Sequence, residues 1–136
     1  MISLVMDTSN SYLAVGLYQD NVCLEAFQEK GSRRQSEKAI PTLKEVLDRH
    51  HIALKDVNEM IITSGPGSYT GVRVAMTIAK TLAAVSDVRI KSVSSLAAYA
   101  GMNQALSVID ARGHKVFVGV YENGLPLIKE QVVTLE

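Results

Sequence analysis

Gly65, Gly67 and Gly71 separate an apolar run from a helical one in T-S-G-P-G-S-Y-T-G-V-R-V-A, residues 63–75. A glycine loop that follows a strand and opens a helix offers free N–H groups and the positive end of a helix dipole, a setting for an anion. The side chains then decide the chemistry. A Walker loop carries Lys and a hydroxyl residue directly after its last glycine, but Gly71 is followed by Val72 and Arg73. The dinucleotide fingerprint G-x-G-x-x-G fails as well, because four positions separate Gly67 from Gly71. Pro66 also lacks one of the N–H donors a phosphate cradle uses. The loop is either an anion cradle or a tight turn in which Ser68 or Thr70 caps the helix, and these mismatches favour the capped turn.

Other reactive side chains lead nowhere further. Ser68 does not sit in a G-x-S-x-G elbow, and no histidine is placed by the sequence to activate it. Zinc needs three protein ligands, yet the histidines are His50, His51 and His114. Adjacent His50 and His51 diverge by about 100° on a helix, and no H-E-x-x-H occurs, so no metal site is expected. Cys23 is the single cysteine and reads as a small strand residue, suited to a reducing compartment.

These residues need a scaffold, and hydrophobic period supplies it. Residues 2–6, 12–18 and 21–27 read as three strands of an antiparallel meander, with the polar cluster Asp7, Thr8, Ser9, Asn10, Ser11 turning the chain after the first. A helix is expected over 36–51, with Ile40, Leu43, Val46, Leu47 and His50 at three- and four-residue spacing and Ser36 as N-cap. Pro41 either marks its start or bends it after one turn, and the bent helix is favoured. A central strand over 57–63 leads into the glycine loop. Then follow a helix over 71–85, a strand over 89–93, and a helix over 94–102 capped by Ser94 or Ser95. Strands are expected at 105–109, 115–121 and 127–134. Residues 31–34 read as a loop with two positive charges.

The 71–85 helix is apolar almost all round: Ala75, Ile78, Ala79 and Leu82 form one stripe, and Val72, Met76, Ala83 and Val85 extend it. Only Arg73, Thr77, Lys80 and Thr81 interrupt it. Such a helix is expected to be covered on two sides. The second cover is either a helix of the same domain or a partner, and the partner is the favoured expectation.

At 136 residues the chain suits one domain, or one lobe with part of another. Strands followed by helix, strand, helix, strand predict an α/β fold: a mixed sheet with flanking helices, in the order of ribonuclease H-like, actin-like lobes. The first lobe is expected over 1–103, and 104–136 would open a second. Formal net charge is zero, so a dominant electrostatic grip on nucleic acid is not expected. No apolar run approaches the roughly 20 residues of a membrane span, and the cytoplasm is the expected compartment.

Several motifs together resemble one family. Asp7-Thr8-Ser9, Ser36-Glu37 with Pro41, S-G-P-G-S-Y-T-G-V-R over 64–73, Ala79-Lys80 and V-I-D-A-R over 108–112 are similar to the bacterial TsaB (YeaZ) family, and the resemblance runs through the whole chain. It implies an actin-like fold and a non-catalytic role in forming threonylcarbamoyladenosine in tRNA. Members hold the TsaD transferase active through a bundle made by the first two long helices of each partner, a TsaE ATPase joins, and homodimers form through the same surface. By this resemblance the partner surface would carry Glu37, Ile40, Leu43, Leu47, Arg73, Met76 and Lys80, with tRNA met only indirectly.

The resemblance also puts Asp7, Thr8 and Ser9 where the superfamily has its first phosphate hairpin. Asp7 would then either contact a phosphate or cap its own turn. The hairpin interior Y-L-A-V-G-L-Y has no Lys or Gln to help hold phosphate, which favours the cap. No cofactor is expected, with ATP or ADP admitted only at a subunit interface; the rival is a self-sufficient nucleotide-hydrolysing domain. Gln35 stands where the family commonly has histidine. Members usually continue well past residue 136, so the second lobe is expected to be incomplete.

Overall fold

The computed structural model describes residues 1–30 and 35–135; the charged loop expected at 31–34 lies outside the described residues. Alternation builds the first strands. In β1 (Ile2–Asp7) Leu4 and Met6 are fully buried on one face, with Ser3, Val5 and Asp7 on the other. β2 (Tyr12–Gln19) buries Leu13, Val15 and Leu17 on the same side. It pairs antiparallel with β1 and with β3 (Val22–Lys30), so the expected meander is present.

β4 (Glu59–Thr63) and β5 (Arg89–Val93) then add in parallel, giving the order β3-β2-β1-β4-β5. Parallel neighbours need a crossover, and helices α1 (Gln35–Arg49) and α2 (Tyr69–Val85) provide them. Both helices cover the face carrying Leu4, Met6, Leu17, Met60 and Ile62. Ala39, Leu43, Val46 and Leu47 come from α1, and Ala75, Ile78 and Ala79 from α2.

The first helix runs through Pro41. It begins ahead of Ser36, so Ser36 lies inside the first turn and is not its N-cap. Its end is a Schellman turn: His51 takes a left-handed φ of 54°, its N–H bonds the Asp48 carbonyl, and the Ile52 N–H bonds the Leu47 carbonyl at 3.0 Å. Helix α1 therefore stops at Arg49, two residues short of the expected end. Arg49 and His50 both reach Glu25 on β3, with His50 Nε2 at 2.9 Å from Oε1. The Arg49 hydrogen bond, supported by His50, holds the Glu25 carboxyl down at about 2.

A second sheet, β6 (Ala105–Arg112), β7 (Lys115–Glu122) and β8 (Leu125–Thr134), is an antiparallel meander. The short α3 (Ser95–Ala100), capped by Ser94, packs on this sheet: Leu96 and Ala100 join Tyr121, with Ile109 and Phe117 beside them.

Candidate functional site: a closed hairpin and an open helix groove

Because β1 and β4 are parallel neighbours, their carboxyl ends lie side by side, the position where open α/β sheets receive ligands. Asp7-Thr8-Ser9 and the glycine loop therefore meet. Asp7 Oδ1 accepts three hydrogen bonds, from the Ser9 amide (2.8 Å), Ser9 Oγ (2.6 Å) and Thr63 Oγ1 (2.7 Å). Thr8 Oγ1 donates to the Gly71 carbonyl, and the Ser68 amide donates to the Ser9 carbonyl at 2.8 Å. Ser95 closes the network from α3: its hydroxyl donates to Ser9 Oγ at 3.2 Å and its amide to the Gly65 carbonyl at 2.9 Å. Thr8, Ser9 and Ser95 are all buried.

This packing explains two of the glycines. A Cβ on Gly67 would come within 2.5 Å of the Ser9 carbonyl oxygen, and one on Gly71 would run into the Thr8 carbonyl oxygen. The hairpin's own carbonyls stand where side chains on these two glycines would go. Carbonyl oxygens repel phosphate, and the amides of Ser9, Ser68 and Gly71 are already engaged within the chain. Ser68 is the helix cap, accepting from the Gly71 amide at 3.2 Å, whereas Thr70 is an exposed residue of the first turn.

The open feature lies on the helical face. Two cavities of about 360 and 370 Å³ run between α1 and α2 and share Ile40, Thr77 and Ile78, forming one trough. Ser36, Tyr69, Thr70, Arg73 and Val74 line one end, and Ile52, Ala53 and Leu54 the other. Of the surface expected from the sequence, Glu37, Ile40, Arg73 and Lys80 are exposed, Ile40 by 60%.

Leu43 and Leu47, at 5% and 6% exposure, are core residues whose surfaces floor the trough, because their spacing turns them toward Leu4 and the sheet. Met76 is half-buried and packs against the same core.

The all-round apolar character of α2 also resolves into sides. Ala75, Ile78 and Ala79 meet the sheet and α1, while Arg73, Thr77, Lys80 and Ala84 form one exposed stripe at i, i+4, i+7 and i+11. The chain's own sheet and α1 therefore supply much of the cover that the apolar count called for. Thr77, Ile78, Thr81 and Leu82 were missed as groove residues. The four-residue step from Arg73 to Thr77 and Thr81 was the signal that could have found the two threonines.

Among the described residues no group of three or more His, Cys, Asp or Glu side chains could hold a metal ion. No helix among them is long and apolar enough to cross a membrane. On the sheet face away from the helices, Glu59 is 4% exposed and accepts from Ser3 Oγ at 2.8 Å; Lys91 Nζ lies 2.9 Å from its other oxygen. Lys91, and then Ser3, hold this carboxyl below the ordinary range.

The strand order, the paired crossover helices and the hairpin meeting a glycine loop at adjacent strand ends define an α/β protein of the ribonuclease H-like, actin-like class. A family model described as TsaD, tRNA N6-adenosine threonylcarbamoyltransferase, matches residues 28–135. The tRNA threonylcarbamoyladenosine biosynthesis protein TsaB of Bacillus subtilis is 35% identical over 140 residues, covering 98% of this chain and 60% of that protein. The protein of the same name from Escherichia coli is 31% identical over 132 residues, covering 90% and 57%. A solved structure, YeaZ from Pseudomonas aeruginosa, superposes with a TM-score of 0.88 at 29% identity, covering 97% of this chain and 67% of that one. The chain belongs to the TsaB/YeaZ family. It spans about 60% of the length of these curated relatives.

Proposed function

We propose that this chain serves the formation of threonylcarbamoyladenosine in tRNA as a non-catalytic subunit that holds a TsaD-type transferase against the α1/α2 face. The observation that carries this reading is the contrast between its two sites. The hairpin and loop at the strand ends are closed on their own backbone, while the trough between α1 and α2 is open and floored by Leu43, Leu47, Ile78 and Leu82. A long apolar trough between two helices fits a helix from a partner, by ridges packing into grooves. The family membership supports the choice of that partner.

On this proposal tRNA is met through the transferase, and a TsaE-type ATPase joins the assembly. A second copy competes for the same face, and ATP or ADP enters only at a subunit junction. The work is cytoplasmic. Residues 1–103 form the first lobe and 104–136 open the second. The self-sufficient nucleotide-hydrolysing alternative is less well supported, because it needs the hairpin space that Gly67 and Gly71 give to carbonyl oxygens.

The test is co-purification with the TsaD-type transferase of the same organism. Ile40→Glu combined with Thr77→Glu puts two carboxylates into the trough from exposed positions, so the chain keeps its fold by circular dichroism and loses the transferase. Undiminished co-purification of the folded double variant would overturn the proposal.

A further inference from the structure

We infer that the α1/α2 trough is built for an amphipathic helix that brings a carboxylate to Arg73. The occupant's apolar stripe would thus end beside an aspartate or glutamate at the Tyr69 end of the trough. This rests on the partner-holding function proposed above and specifies the partner's chemistry. The length fits: α1 has 15 residues, about 22 Å or four turns, and the trough follows it from Ser36 to beyond Leu47. Side chains at i, i+3/i+4 and i+7 of an incoming helix would meet the aliphatic floor.

The two ends differ in charge. Along the Leu47 half, Lys44 and Asp48 line the trough with opposite signs, four residues apart on α1, and offset each other. At the other end, among the described residues, the charged lining is Arg73, set among the hydroxyls of Ser36, Tyr69, Thr70 and Thr77. Its guanidinium lies over the Tyr69 ring at 5.3 Å from the centroid, and Nη1 donates to the Tyr69 hydroxyl at 3.0 Å. The hydrogen bond to Tyr69 engages one of the guanidinium's five donors and leaves the rest available. Among the described residues no carboxylate lies within ion-pair distance of it.

The first turn of α2 carries no acidic residue, so the positive end of its dipole adds to the same potential. An apolar helix settling here would strip water from the remaining donors, which is costly unless the helix supplies an acceptor. A carboxylate matches the guanidinium fork with two parallel hydrogen bonds.

The test measures binding of the TsaD-type transferase of the same organism to the wild-type chain and to Arg73→Gln and Arg73→Lys, at low and high NaCl. Arg73 is exposed, so both variants fold. Arg73→Gln should weaken binding about tenfold at low salt and flatten its salt dependence. Arg73→Lys should keep the salt dependence with a smaller loss, and Arg73→Glu should be rescued by one Asp or Glu→Lys change in the transferase helices. If the wild type binds and Arg73→Gln binds with equal affinity and salt slope, the carboxylate partner is wrong and the holding function stands. If the wild type does not bind, both fall. If Arg73→Gln instead loses tRNA binding with the transferase unaffected, the inference is overturned in favour of a nucleic-acid contact.

Discussion

Asp7 is the residue at which nucleotide chemistry and architecture make opposite demands. A phosphate or Mg²⁺ role needs its charge, whereas its place in the structure needs an acceptor for Ser9 and Thr63. Asp7→Ala leaves three donors without that acceptor and should destabilise the fold by about 2–3 kcal/mol, read as a fall in melting temperature of roughly 10 °C. Asp7→Asn keeps an acceptor and should retain most of the stability. Calorimetric titration with ATP and Mg²⁺ then separates the roles: micromolar binding by the wild type, lost in the folded Asp7→Asn variant, would reinstate the phosphate hairpin. The turn chemistry of residues 7–11 was legible in the sequence. Thr63 and Ser95 as partners were not, since they lie 56 and 86 residues away from theirs.

Among the elements, α2 was read well in extent and less well in orientation. Its start moved from Gly71 to Tyr69 because Ser68, not Thr70, caps it. Ser68→Ala should cost about 1 kcal/mol, measured by urea denaturation, with Thr70→Ala close to neutral; the reverse order would reassign the cap. Period alone placed Ala75, Ile78 and Ala79 together on a buried face. It left open which flank α1 would cover, because a helix wheel carries no information about the neighbour. For the same reason the helix wheel did not tell that Leu43 and Leu47 form the floor of the trough and not its exposed rim. α3 shows the limit more sharply: its six residues were found, but its packing on the second sheet depends on Tyr121 and Phe117, which come later in the chain.

For the molecule as a whole, the first sheet is covered by α1 and α2 on one face and carries the buried Glu59 on the other. Its carboxyl is lowered in the folded state by Lys91 and Ser3. A lowered folded-state value means stability that is present above the unfolded carboxylate's pKa, about 4.3, and is lost as pH falls through the folded value. Glu59→Gln should therefore fall furthest behind the wild type near neutral pH, with the gap closing as the pH falls below the unfolded carboxylate's value. Urea midpoints across that range check this, and a gap that stays constant with pH would refute it.

The sequence by itself determined the order of strands and helices, the meander and the cap-and-glycine character of the loop, and its motifs carried the family resemblance. The first three follow from local period and turn chemistry, which each segment carries alone. The tertiary structure decided why the glycines are needed and which side of each long helix faces outward. Gly67 and Gly71 are required by the Ser9 and Thr8 carbonyls only because β1 and β4 lie parallel and adjacent. The trough beside Arg73 exists only because α1 and α2 share one face of the sheet. Both are consequences of pairing between distant segments, where burial and backbone contact are set by neighbours that no single stretch of chain contains.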